Sequence, residues 1–114
     1  MLKSLYVKGS LKSKGNGFEF LVNNRLGPAR IIGARPLKVN RTPIPLEKCH
    51  FIHDQEQASF ADVNAEQSVL MRKGEALTVR VLETPLRPGR QTLGISFVVK
   101  DMGQVSFSIS DRLK

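Results

Sequence analysis

The sequence predicts an all-β domain, a two-layer antiparallel sandwich of about seven to nine short strands. Three observations carry that prediction. Apolar residues recur at every second position over most of the chain, which is the period of a strand with one buried face. Clusters of Gly, Pro and Asn separate these stretches. No segment shows the strand–helix–strand rhythm of a parallel sheet, an internal repeat or a low-complexity tract. A chain of 114 residues is long enough for one core, so residues 1–114 are read as a single domain.

The elements follow in order. Leu5, Val7, Gly9 and Leu11 alternate with Tyr6, Lys8, Ser10 and Lys12, a strand with one wet face. Gly15-Asn16-Gly17 is a turn signal, because Gly and Asn tolerate positive φ. Phe18, Phe20 and Val22 then alternate with Glu19, Leu21 and Asn23, which predicts a hairpin. The pattern breaks from Asn23 to Arg30. Gly27-Pro28 denies a regular ladder there, and an exposed loop carrying Arg25 and Arg30 is expected. Ile31 and Ile32 resume the core. Pro36 to Val39 approaches a turn at Asn40-Arg41, and Pro43 and Pro45 around Ile44 mark an edge segment.

Cys49 to His53 reads as a short strand with Phe51 on one face, and Phe60 belongs to another short extended piece. Asn64 to Lys73 is the one helical candidate, with Asn64 as cap and Gly74 as terminator. A helix that short is marginal alone, and a loop or single helical turn is the alternative. The last third alternates most clearly: Leu77, Val79 and Val81; then Leu93, Ile95, Phe97 and Val99; then, after a tight turn at Asp101-Met102-Gly103, Val105, Phe107 and Ile109. These residues, with Leu5, Val7, Phe18, Phe20 and Val22, are the expected core.

The net charge is +8 and the isoelectric point about 10.2, which points to an anionic partner or surface. The basic residues are nevertheless spread along the chain, and the longest run is Arg72-Lys73. A basic solvated surface, or one facing an acidic partner, fits this spread better than a nucleic-acid groove. Small barrels that bind nucleic acid expose aromatics for stacking, and here Tyr6 is the one aromatic expected to face outward. No apolar run approaches the roughly 18 residues of a membrane span, and Met1 to Lys8 has no continuous apolar stretch of a signal peptide. With a single cysteine, the expectation is a cytoplasmic protein.

Catalytic side chains are sparse. Cys49 sits beside His50 and His53, but no second signature accompanies them, and a small buried thiol is the simpler reading. His50, His53 and Asp54 suggest a metal only until strand geometry is applied: residues three apart point to opposite faces, and no further ligand has suitable spacing. The ten acidic residues fall mostly in turns or at strand ends, where solvation is expected. There is no Gly-x-Ser-x-Gly and no phosphate-binding P-loop. The chain is therefore expected to hold no catalytic residue, metal or cofactor of its own.

The ordered set Gly17-Phe18-Glu19-Phe20, a loop, Leu37-Lys38-Val39-Asn40, Ile44-Pro45 and Phe51 resembles the small β subunit of C-glycoside deglycosidases. So do Lys73-Gly74-Glu75-Ala76-Leu77-Thr78-Val79 and Leu86-Arg87-Pro88-Gly89-Arg90-Gln91. The resemblance implies a non-catalytic subunit that braces a larger TIM-barrel α subunit in a hetero-oligomer. That partner would hold a divalent metal, manganese, and cleave the C–C bond of 3-oxo-C-glucosides, so this chain would be the accessory part of a carbon–carbon lyase. Arg25, Leu26, Gly27, Pro28 and Arg30 would meet the partner or the mouth of its site. The alternative is a free-standing basic β-sandwich that binds nucleic acid or an anionic glycan, and a third reading is an immunoglobulin-like interaction module.

Overall fold

The computed structural model of the protein describes residues 5–25 and 27–113. Two antiparallel sheets pack face to face. The first has the order β1 (Lys12–Lys14), β2 (Gly17–Asn23), β9 (Ala76–Val81), β6 (Cys49–His53), β7 (Glu56–Ser59). The second runs β5 (Thr42–Pro43), β4 (Lys38–Val39), β10 (Gly89–Val99), β3 (Ala29–Ala34), β8 (Val69–Met71), with β11 (Gly103–Leu113) also pairing β10. β4 and β3 take successive stretches of β10, Leu93–Gly94 and Phe97–Val99, while β11 pairs it from Gly89 to Val99. The strand total exceeds the expected seven to nine because β1, β4, β5 and β8 are only two or three residues long.

The period of two does what it predicts. Phe18, Phe20 and Val22 of β2, Leu77, Val79 and Val81 of β9, and Cys49 and Phe51 of β6 face Leu93, Ile95, Phe97 and Val99 of β10 and Val105 and Phe107 of β11. Val7 and Ile109 of the expected core are only partly buried. Gly17 opens β2 where it must pass the backbone of β9: a Cβ there would collide with the carbonyl oxygen of Val81. Two hairpins turn on non-glycine pairs with positive φ, Asn40-Arg41 (50° and 74°) and Asp54-Gln55 (50° and 69°), the geometry that matches the twist of the flanking strands. Asn40 is held there from outside. Its Nδ2 donates to Gln91 Oε1 at 2.8 Å, and its Oδ1 accepts from the N–H of Thr92 at 2.9 Å.

Three local expectations are corrected. Residues 5–11 do not form a strand. Tyr6 makes one isolated bridge to Val22 and Ser10 N–H donates to the carbonyl of Val7, so the chain curls before β1. Tyr6 therefore points inward, buried against Phe20 at a ring separation of 5.6 Å, with its hydroxyl on Asp111. Phe60 begins a short 3-10 turn, Phe60–Asp62, and stacks on Phe51 at 4.3 Å. Between Asn64 and Lys73 there is one capped turn, in which Asn64 Oδ1 accepts from the N–H groups of Glu66 and Gln67 at 2.8 Å, and then β8. The segment is too short and too apolar at Val69 and Met71 for the helix to outcompete an edge strand against β3. Among the described residues no helix is long and apolar enough to cross a membrane.

Candidate functional site

The loop singled out in the sequence lies at one end of the sandwich and is shorter than its sequence break. β2 runs through Asn23 and β3 begins at Ala29, so Arg30 is a strand residue; its Nη1 donates to Ser68 Oγ at 3.1 Å. Arg25 and Pro28 are exposed, Gly27 has the left-handed φ of 103°, and Leu26 lies outside the described residues. What holds the loop is Asn24, which the sequence reading passed over. Its side chain is buried, and Nδ2 donates to the carbonyls of Gly27 at 2.6 Å and Met71 at 3.1 Å. Its backbone N–H donates to Glu75 O, and its carbonyl accepts from Gly74 N–H. A buried donor so fully used makes the loop part of the fold rather than a tether.

The segment it is tied to, residues 71–75, carries Glu75, and Glu75 reaches His53 at the end of β6. His53 Nε2 lies 3.2 Å from Glu75 Oε2, and Nδ1 lies 3.6 Å from Asp54 Oδ2. Glu75 Oε1 accepts from the N–H of Arg72 at 2.7 Å. That backbone bond first, and His53 second, hold the Glu75 carboxyl below its ordinary value. Beside this group a cleft of about 350 Å³ opens between β6–β7 and β8, lined by Phe51, His53, Gln57, Ser68, Leu70 and Arg72. The donor atoms of His53, Asp54 and Glu75 lie within 4.8 Å of one another. The ring meets Glu75 with Nε2 and Asp54 with Nδ1, its two opposite edges. The arrangement as it stands is a bridge from carboxylate to imidazole to carboxylate, not a chelate. His50, on the other face of β6, sits in the row of Arg80 and Ser59 and is separated from His53 by the sheet itself, as residues three apart on a strand must be.

Cys49 is fully buried in the core, with Sγ 3.7 Å from the carbonyl of Pro45. Burial pushes its thiol up to about 11, so the nucleophilic thiolate is suppressed at neutral pH.

The charges are divided between the two sheets. The ion pairs among the described residues are Lys12–Glu19 and Arg80–Glu19; these, and the contacts of His53 with Asp54 and Glu75, all lie on or beside the first sheet. The strands of the second sheet carry one acidic residue, Asp111. Its Oδ2 turns to the Tyr6 hydroxyl and the Gly9 N–H, and its Oδ1 to the N–H of Arg112. The outward residues of β10 and β11 form paired rows: Arg90–Arg112, Thr92–Ser110, Gly94–Ser108, Ser96–Ser106. Hydroxyls join across two of these rows, Thr92 to Ser110 at 3.2 Å and Ser96 to Ser106 at 2.7 Å. Two exposed arginines thus stand directly opposite each other. The expected turn at Asp101–Gly103 does not give that register: the loop between the strands is Lys100–Met102, and Gly103 already pairs Val99.

The family whose model matches is described as hydroxymethylglutaryl-CoA reductase, N-terminal domain, and the match spans residues 1–114. No curated protein matches the chain. The match overturns the resemblance to the small subunit of C-glycoside deglycosidases. With it go the TIM-barrel α subunit as partner, the C-glycoside substrate and the carbon–carbon lyase context; the manganese placed in that partner rested on the same resemblance. The physical reason is visible in the residues that suggested it. Gly17 clears Val81, Phe18, Phe20, Leu37, Val39, Ile44 and Phe51 fill the core, Asn40 forms a hairpin turn, and Gln91 clamps it. These are duties of the scaffold, not of a partner or substrate. The alternative, a free-standing binder of nucleic acid or an anionic glycan, gains no support either: Tyr6, its one candidate for stacking, is buried.

Proposed function

The chain belongs to the hydroxymethylglutaryl-CoA reductase N-terminal domain family, and from that membership we propose that it serves such a reductase as an accessory β-sandwich module. It docks on the rest of the enzyme through the end that carries Arg25, Gly27, Pro28 and Arg30. The reduction is left to the enzyme's remaining part, and the module brings no cofactor of its own. One observation carries the docking surface: the buried Asn24 ties the start of the loop to Gly27 O and to residues 71–75 while Arg25 and Pro28 stay exposed. A preordered loop loses little entropy on binding, and arginine is suited to bidentate pairing with carboxylates of a partner. The chemistry of the domain supports an accessory role, since Cys49 is held as a thiol and His53 is engaged by two carboxylates. We place the protein in the cytoplasm on its single buried thiol.

Co-expression of the chain with the remaining part of the reductase tests this. The two are expected to co-purify, and Arg25→Ala with Arg30→Ala is expected to weaken assembly or lower turnover of the assembled enzyme while the domain's own melting is unchanged. Failure to co-purify, or wild-type affinity and turnover in the double variant, overturns the docking surface. Reduction of hydroxymethylglutaryl-CoA by this chain alone overturns the accessory role.

A further inference from the structure

Like charges placed directly opposite on adjacent strands repel, because their Cβ atoms stand only about 4.5–5.5 Å apart. Arg90 and Arg112 are such a pair. Both are exposed, and among the described residues neither guanidinium has a carboxylate or any other side-chain partner. The one carboxylate in reach by sequence, Asp111, is on the opposite side of its strand and committed to Tyr6 and Gly9. The repulsion is therefore uncompensated in the free protein.

The surroundings are built to receive an anion. Next along the hairpin, the Thr92 and Ser110 hydroxyls share one hydrogen bond at 3.2 Å. Whichever donates, the other retains its own O–H for a ligand. On the other side Arg90 lines a groove of about 410 Å³ with Arg87, Asn40, Pro88 and Gln91. That groove has a fixed wall. Gln91 is buried, its Nε2 donates to the carbonyl of Arg87 at 2.6 Å, and its Oε1 accepts from Asn40 at 2.8 Å. Pro85 and Pro88 further restrict the link that carries Arg87.

We propose that Arg90, Arg112 and Arg87, with the Thr92–Ser110 hydroxyls, form a binding site for a phosphate or diphosphate ester. Two guanidinium forks can hold a phosphate group bidentately, and a bound anion converts the repulsion of the pair into attraction. A groove under Arg87 and Arg90 on one side of the pair and hydroxyl donors on the other favour a small phosphoryl ligand over an acidic protein face. That the phosphate belongs to a coenzyme A thioester rests on the family reading above; the site itself does not.

Titration calorimetry of the full chain with inorganic pyrophosphate, coenzyme A and polyglutamate tests it. Pyrophosphate is expected to bind and to weaken as salt rises. Arg90→Ala with Arg112→Ala is expected to weaken binding at least tenfold, while the unliganded domain melts no lower than wild type because the repulsion is gone. Arg90→Lys with Arg112→Lys keeps the charge, loses the forks, and is expected to fall between the two. Tighter binding of coenzyme A than of pyrophosphate assigns the phosphate to a coenzyme A thioester; equal binding assigns it to the diphosphate alone. No binding of either, binding unchanged in the alanine pair, or binding of polyglutamate only overturns the proposal. Arg25→Ala with Arg30→Ala leaves the site intact, so failure to dock on the reductase and failure to bind phosphate are separate results.

Discussion

The hydroxyl of Tyr6 donates to Oδ2 of Asp111 at 2.6 Å, and so ties the segment before β1 to the last strand, β11. The same oxygen accepts from the N–H of Gly9 at 2.8 Å. One carboxylate thereby fixes the curled segment before β1 onto the edge of the second sheet. Burial first, and the bond to Asp111 second, push the Tyr6 phenol far above its ordinary value. Burial works against ionised Asp111, but the hydrogen bonds from Tyr6 and from backbone N–H groups outweigh it and leave its carboxyl lowered.

Tyr6 is the only tyrosine and there is no tryptophan, so tyrosinate absorbance near 295 nm reports this one group. Its midpoint is expected well above the value of about 10 for a free phenol. The folded state holds the phenol neutral, so its contribution to stability is present below about pH 10 and is lost as pH rises through the folded value. The Asp111 contribution has the opposite sense: present above about pH 3.9, lost as pH falls through its lowered folded value. Asp111→Asn should bring the Tyr6 midpoint down only part of the way, because burial is the larger cause. A midpoint near 10 in the wild-type protein rules out the arrangement.

Phe97 lies on β10 in the core and is 6% exposed. Phe97→Ala should lower unfolding free energy by about 3–5 kcal/mol in urea titration, whereas Met102→Ala, in the exposed turn of the same hairpin, should stay within about 0.5 kcal/mol. Equal effects at both positions would contradict the inward register of β10.

Gly17→Ala places a methyl group on the Val81 carbonyl. Backbone cannot yield as a side-chain tip does, and overpacking costs about 1–3 kcal/mol. Because β2 pairs β9 from Phe18 to Asn23, the expected result is a loss at the upper end of that range or no soluble folded protein. A Gly17→Ala variant as stable as wild type would show that β2 and β9 do not approach this closely.

Asn24→Ala removes the donor shared by Gly27 O and Met71 O. Leaving buried acceptors unpaired costs about 1–3 kcal/mol. Amide hydrogen exchange should quicken at Gly74 and at residue 24, whose N–H groups bond across this junction, while β10 and β11 keep their protection. Exchange unchanged at Gly74 would mean that Asn24 does not hold the loop.

The alternation of Phe18–Val22, Leu77–Val81 and Leu93–Val99 determined the all-β sandwich and most of its core, because burial on one face of a strand writes a period of two into the chain. The turns at Gly15–Gly17, Asn40-Arg41 and near Asp101–Gly103 were legible for a similar reason: each needs residues that tolerate positive φ. The last loop is in fact Lys100–Met102, so the pairing of 90 with 112 was not legible. Tertiary structure alone decided the rest. Residues 5–11 alternate like a strand, yet Asp111, more than a hundred positions away, gives Tyr6 a buried partner and the segment curls. Glu75 looked like a solvated turn carboxylate until His53, 22 positions earlier, came within hydrogen-bond range. Asn24 carries no periodic signal at all; its role exists only because residues 71–75 fold back upon it. Periodicity records which face of a strand is buried, but the partner of a polar group is set by which strands meet, and that is decided when the sheets assemble.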